Sequence, residues 1–160
     1  MTVKNTVFPE AELCKNCFIV QEMSLPPEIF DTKKSLLRWF SLSLGLIGKQ
    51  ESRQTFLDVL DAVLYFNFSK KVSPTTLNIQ SFIKKKSGTK VIEKLLRYHL
   101  NRLIQLGLIE RKKSKYIFAV SPYADKNDFK ASFDFLVSKK INEKLIDVSK
   151  VYEKLIDSYR

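Results

Sequence analysis

Tyr98-His99-Leu100-Asn101-Arg102-Leu103-Ile104-Gln105-Leu106-Gly107-Leu108-Ile109-Glu110-Arg111-Lys112 changes its hydrophobic period at one glycine. Before Gly107, Ile92, Leu96, Leu100 and Leu103 recur at three- and four-residue spacing, which is the period of a helix with one buried face. His99 stands at the margin of that stripe. After Gly107, the β-prone runs 108–111 and 116–120 flank the polar tip Lys112-Lys113-Ser114-Lys115, and Ser121-Pro122 breaks the second run. The spacing predicts a helix over 89–106, a stop at Gly107 with positive φ, and a β-hairpin over 108–120.

Working upstream, Ser73-Pro74 reads as an N-cap followed by proline at the first helical position. The short helix it opens holds Leu77, Ile79, Phe82 and Ile83, and ends at Lys84-Lys85-Lys86 and Ser87-Gly88. A longer helix is expected from about Glu51 to Phe68, with Phe56, Val59, Leu60, Val63 and Leu64 as its buried stripe. Before it, Asp31 reads as the N-cap of a helix carrying Leu36, Leu37, Trp39, Phe40 and Leu44, closed by Gly45 and Gly48. Residues 1–30 read as irregular or short-stranded, ending in the turn-forming pair Pro26-Pro27.

Downstream, the chain is expected to be helical again from Asp125, with a break or bend near residues 138–140. Ile141, Leu145, Val148, Tyr152, Leu155 and Tyr159 then fall at alternating steps of four and three, an a/d heptad seam. Two readings fit it: a helix that pairs two copies of the chain, or a stripe docked on its own domain. Twelve Phe, six Tyr and a hydrophobic content of 44% suffice for a packed core, while only four Gly and five Pro favour long helices. The expected fold is mainly α with a small β-hairpin. It divides into an N-terminal extension and helix (1–50), a central domain (51–121) and a C-terminal helical segment (122–160).

The charge is more localised than the fold. Residues 70–115 hold thirteen Lys or Arg and two acids, Glu93 and Glu110, and so carry the whole formal net charge of +11. The remaining residues contain fifteen bases and fifteen acids. A field concentrated on one segment attracts a polyanion. A solvated lysine face is the ordinary explanation of a single Lys-Lys-Lys run, but it does not account for bases gathered on a turn, a helix and a hairpin together.

The order helix, turn, helix, glycine and basic-tipped hairpin resembles the winged helix-turn-helix superfamily over residues 51–121. The run from Tyr98 to Lys112 is similar to the end of the recognition helix and the first wing strand in many small prokaryotic transcription regulators. That resemblance implies a double-stranded DNA-binding protein that regulates transcription from the cytoplasm as a homodimer. Its recognition helix, 89–106, would lie in the major groove and its wing, 108–120, on the backbone or minor groove. Helical geometry supports the assignment independently. Lys90, Lys94, Arg97, Asn101 and Gln105 gather opposite the leucine stripe, with Tyr98 and Arg102 beside them, and Arg, Asn and Gln pair with base edges. The expected DNA-binding residues are therefore Lys84, Lys85, Lys86, Thr89, Lys90, Lys94, Arg97, Tyr98, Asn101, Arg102, Arg111, Lys112, Lys113 and Lys115. Winged helices also serve as protein–protein adaptors in transcription, replication and trafficking complexes, and that is the alternative function.

Other classes find little support. GxxxxGK[ST], HExxH and GxSxG are all missing, and the single histidine, His99, offers no nucleophile–base pair, so no enzymatic activity is expected. Cys14 and Cys17 form one CxxC, half of an ordinary zinc site; free thiols or a local disulfide are the expectation, with zinc shared across a dimer as the lesser alternative. No cofactor is otherwise implied. The apolar runs fall short of the roughly 20 residues that span a bilayer, and the first residues lack a signal-peptide pattern.

Overall fold

The computed structural model describes residues 7–48 and 54–160. The chain is mainly helical with one small antiparallel sheet. Its helices are α1 (Lys33–Ser43), α2 (Gln54–Leu64), α3 (Thr76–Ser87), α4 (Glu93–Leu106), α5 (Phe129–Phe133) and α6 (Lys139–Asp157). A wide π-helical turn, Tyr65–Ser69, extends α2, and a second one, Asp134–Ser138, joins α5 to α6. Strands β1 (Ile109–Lys112) and β2 (Lys115–Phe118) form the hairpin, paired from Ile109 with Phe118 to Lys112 with Lys115. The two-residue turn Lys113-Ser114 has positive φ at both positions, the backbone of a tight hairpin whose twist matches its strands.

The core lies where α2, α3 and α4 meet. Phe56, Val59, Leu60 and Val63 of α2, Ile79 and Ile83 of α3, and Leu96, Leu100 and Leu103 of α4 are all buried. Ile109 and Tyr116 close this core from the hairpin, and Val137 closes it from the π-helical turn between α5 and α6. The hairpin is also tied to the segment before α3, because the Tyr116 N–H donates to the Pro74 carbonyl at 2.9 Å. Asn67 donates to the carbonyls of both Val63 and Tyr116, joining the end of α2 to the same strand. At the other edge, the Trp39 indole N–H donates to the Ser24 carbonyl and holds the N-terminal segment against α1.

Gly107 ends α4 with φ of +90°, as the period change predicts. Several helix starts differ from expectation, each for a hydrogen-bonding reason. The N-cap of α1 is Thr32, whose hydroxyl accepts the Ser35 N–H, while Asp31 belongs to the 3-10 turn Pro27–Asp31. The N-cap of α3 is Thr75, in a reciprocal capping box with Asn78, which leaves the Pro74 carbonyl for the hairpin. Helix α4 starts at Glu93 instead of residue 89. Val91 is buried in extended backbone and its carbonyl accepts from Gln80 Nε2, so the preceding residues form a linker. The apolar position at the start of the stripe is accordingly Val91, and Ile92 is exposed. Helix α5 starts at Phe129, capped by the Asp128 carboxylate, not at Asp125. The expected start of α2 near Glu51 lies outside the described residues.

Candidate nucleic-acid interface

Three pieces of chain carry the expected contacts. The first is the end of α3, where Lys84, Lys85 and Lys86 are exposed one turn before Gly88, whose φ of +72° stops the helix. Thr89 and Lys90 follow in the extended linker, also exposed, so they flank α4 rather than forming its first turn. The second is the outer face of α4, on which Lys94, Arg97, Tyr98, Asn101 and Gln105 are exposed. Their positions follow from the leucine stripe: Leu96, Leu100 and Leu103 face the core, so residues half a turn away must face solvent. The third is the hairpin, where Arg111, Lys112, Lys113 and Lys115 are exposed around the two-residue turn.

Some of these charges are already paired. Arg97 bonds Glu93 one turn earlier through its Nε at 2.8 Å, Lys112 lies 2.8 Å from Glu110, and Lys86 pairs with Asp61 of α2. The Arg97–Glu93 and Lys112–Glu110 pairs are exposed, and such pairs are worth little and exchange readily for a phosphate; Asp61 is mostly buried. Arg111 stacks over the Tyr116 ring. Among the described residues, Lys84, Lys85, Lys90, Lys94, Lys113 and Lys115 make no ion pair and stand as free cations. Among the described residues, neither the segment before α1 nor α6 covers the outer face of α4. Helix α6 meets α4 at the helix end, where Lys140 Nζ donates to the Gln105 carbonyl at 3.2 Å.

Arg102 is the exception in the set. Its guanidinium donates to the Leu46 carbonyl at 2.6 Å and the Gly45 carbonyl at 3.0 Å, and lies 5.7 Å from the Phe56 ring centroid. The side chain turns inward to hold the loop after α1, so it is a structural residue of the domain. His99 is likewise deeper than a margin position: it is buried, edge-on to Phe56.

The other expected sites divide. On α6, Ile141 packs against the core, while Leu145, Val148, Tyr152 and Leu155 are more than half exposed and Tyr159 lies beyond the helix, exposed as well. From Leu145 onward the stripe is therefore not docked on its own domain. Ile146 and Val151 widen it, and are exposed too. Cys14 and Cys17 are free, exposed thiols. Among the described residues no group of three or more His, Cys, Asp or Glu is placed to hold a metal, and no helix is long and apolar enough to cross a membrane.

One feature went unread in the sequence. An apolar groove of about 660 Å³ runs between α1, the end of α2, the hairpin and α5, lined by Leu36, Phe40, Leu64, Phe68, Phe118 and Phe133 among others. Its signal was an excess of aromatic residues at 30–40 and 129–136 over what one core needs, but no periodicity links those two distant segments. No protein-family model, curated protein or solved structure matches the chain.

Proposed function

We propose that the protein is a winged helix-turn-helix that binds double-stranded DNA as a homodimer and acts in transcriptional regulation. The observation that carries this reading is the uncovered basic face of α4, flanked by the α3 lysines and the hairpin turn. A protein–protein adaptor has no use for six unpaired cations on helix, linker and hairpin beside a charge-neutral remainder. In this reading α4 enters the major groove, where Arg97 and Asn101 read base edges and Lys94 approaches the backbone. Lys84, Lys85, Lys86 and Lys90 meet phosphates on one side, and Arg111, Lys112, Lys113 and Lys115 meet them, or the adjacent minor groove, on the other. The attachment of β2 to the Pro74 carbonyl supports the reading, because it fixes the hairpin's direction relative to α3 and α4. Arg102 takes no part. Glu93 and Glu110 release their partners on binding at small cost, since those pairs are exposed, whereas Asp61 is mostly buried and holds Lys86 more firmly.

The test is a comparison of two variants on a selected site and on random duplex. Arg97→Ala or Asn101→Ala should cost about 1–3 kcal/mol on the selected site and little on random DNA. Lys112→Ala with Lys113→Ala should weaken both duplexes alike. Equal loss on both duplexes for the first pair refutes their base-reading role, and absence of any duplex binding refutes the proposal.

A further inference from the structure

A face that served only to carry solvated lysines would have no use for apolar side chains, yet three stand along α4 and at its N-cap. Ile92, Leu95 and Tyr98 are 63%, 38% and 52% exposed, each three residues from the next. Asn101, also exposed, continues the row. Residues three apart are neighbours on a helix surface, so the four side chains form one ridge. Lys94 and Arg97 form the parallel ridge beside it, and the apolar groups abut the cations. The Tyr98 ring is edge-on to the buried His99 ring at 5.4 Å, and His99 is edge-on to Phe56 at 5.5 Å. Core packing thus helps to fix the ring that faces solvent.

Single exposed apolar residues are ordinary, but a contiguous row within a charged face marks a contact surface. Its neighbours narrow what can cover it. The lysines and Arg97 suit phosphates, which offer nothing to Leu95. Along the floor of the major groove the apolar group is the 5-methyl of thymine. We propose that this ridge reads A·T base pairs: Leu95 and Tyr98 pack on thymine methyl groups, and Asn101 pairs with adenine N6 and N7. This inference rests on the duplex-binding reading above and names the class of sequence it prefers.

Position and length agree with it. A recognition helix brings its N-terminal residues to the base edges, and Leu95 is the third residue of α4. Leu95 to Asn101 covers about 9 Å along the axis at about 1.5 Å per residue, close to the rise of about three base pairs. Discrimination has a repulsive side as well. Cytosine presents an amino donor where thymine presents its carbonyl and lacks the methyl group, so Leu95 against a G·C pair leaves that donor dry and unpaired.

The test starts with full-length protein selecting sites from a randomised duplex library. The preferred duplex is then made twice, once with thymine and once with uracil at every thymine position. This exchange removes only the 5-methyl groups and changes no residue of the protein. The selected sites should hold two or more A·T pairs within three consecutive base pairs. The uracil duplex should bind about fourfold more weakly for each contacted methyl group. Protein carrying Leu95→Ala and Tyr98→Ala, both at exposed positions, should bind the two duplexes equally, and Leu95→Ala alone should lose part of the difference. Equal affinity of the parent protein for both duplexes, or a G·C consensus, overturns the inference while the duplex-binding reading stands. A uracil penalty of the same size in the double variant belongs to the shape of the duplex and also overturns it. Failure to bind any duplex overturns both readings.

Discussion

Replacing Arg102 with alanine separates folding from DNA recognition at a position where the sequence suggests recognition. The guanidinium makes two hydrogen bonds to carbonyls of the loop after α1, at 2.6 and 3.0 Å, and stacks near Phe56. A hydrogen bond from a charged donor contributes about 1.5–3 kcal/mol. Arg102 is half-buried, which places each bond toward the low end, and the ring contact adds about 0.5–1 kcal/mol. The loss for Arg102→Ala is therefore about 3.5–4 kcal/mol. Urea unfolding reads it directly: with a slope of about 1–3 kcal/mol per molar, the midpoint should fall by about 1–4 M. Arg102→Lys should recover only part of this, because an ammonium cannot span two carbonyls as the planar fork does. Duplex affinity, measured well below the new midpoint, should stay close to that of the parent. An unchanged midpoint with weakened DNA binding would refute the structural role and return Arg102 to the recognition face.

Two backbone predictions accompany it. Gly107→Ala places a Cβ at a φ of +90° and 3.1 Å from the Leu136 carbonyl oxygen, so thermal unfolding should show a loss of about 1–2 kcal/mol or more. Gly88→Ala, at a φ of +72° with open space around it, should lose less, and the reverse order in a melting series would contradict the steric argument. Ser114→Gly relieves the left-handed residue of the hairpin turn and should stabilise by about 0.5–1 kcal/mol without changing duplex affinity, checked by the same melts and a binding titration.

The legible parts of the fold were those set by local chemistry. Gly107 marks a left-handed stop and a change of period together, so the boundary between α4 and the hairpin was readable from a few residues. The leucines of α4 and the stripe of α2 were equally plain, since period alone decides which face is buried. Helix starts were less so. Ser73, Thr75 and Asn78, or Asp31 and Thr32, stand close together, and each group holds more than one residue able to cap. Only the partners of the neighbouring backbone decide, as the Pro74 carbonyl does by pairing with Tyr116. The fate of Arg102 depends on carbonyls 56 and 57 residues upstream, which no local pattern encodes. The groove is similar: it exists because α1, α2, the hairpin and α5 converge, and none of them announces it alone. On the candidate interface the sequence nominated fourteen side chains. Thirteen are exposed, and the one that turns inward is the one with a distant backbone partner.

The most direct test of the central claim is the salt dependence of binding to a duplex. If each protomer of the homodimer meets three to five phosphates, a plot of log affinity against log salt should have a slope of roughly −5 to −9. Removing Lys112 and Lys113 together should make it shallower by about one unit per lysine in each protomer. That slope, with the expected change in the double variant, is the result the account predicts. A slope near zero, or a steep slope indifferent to the hairpin lysines and the α4 face, would contradict it.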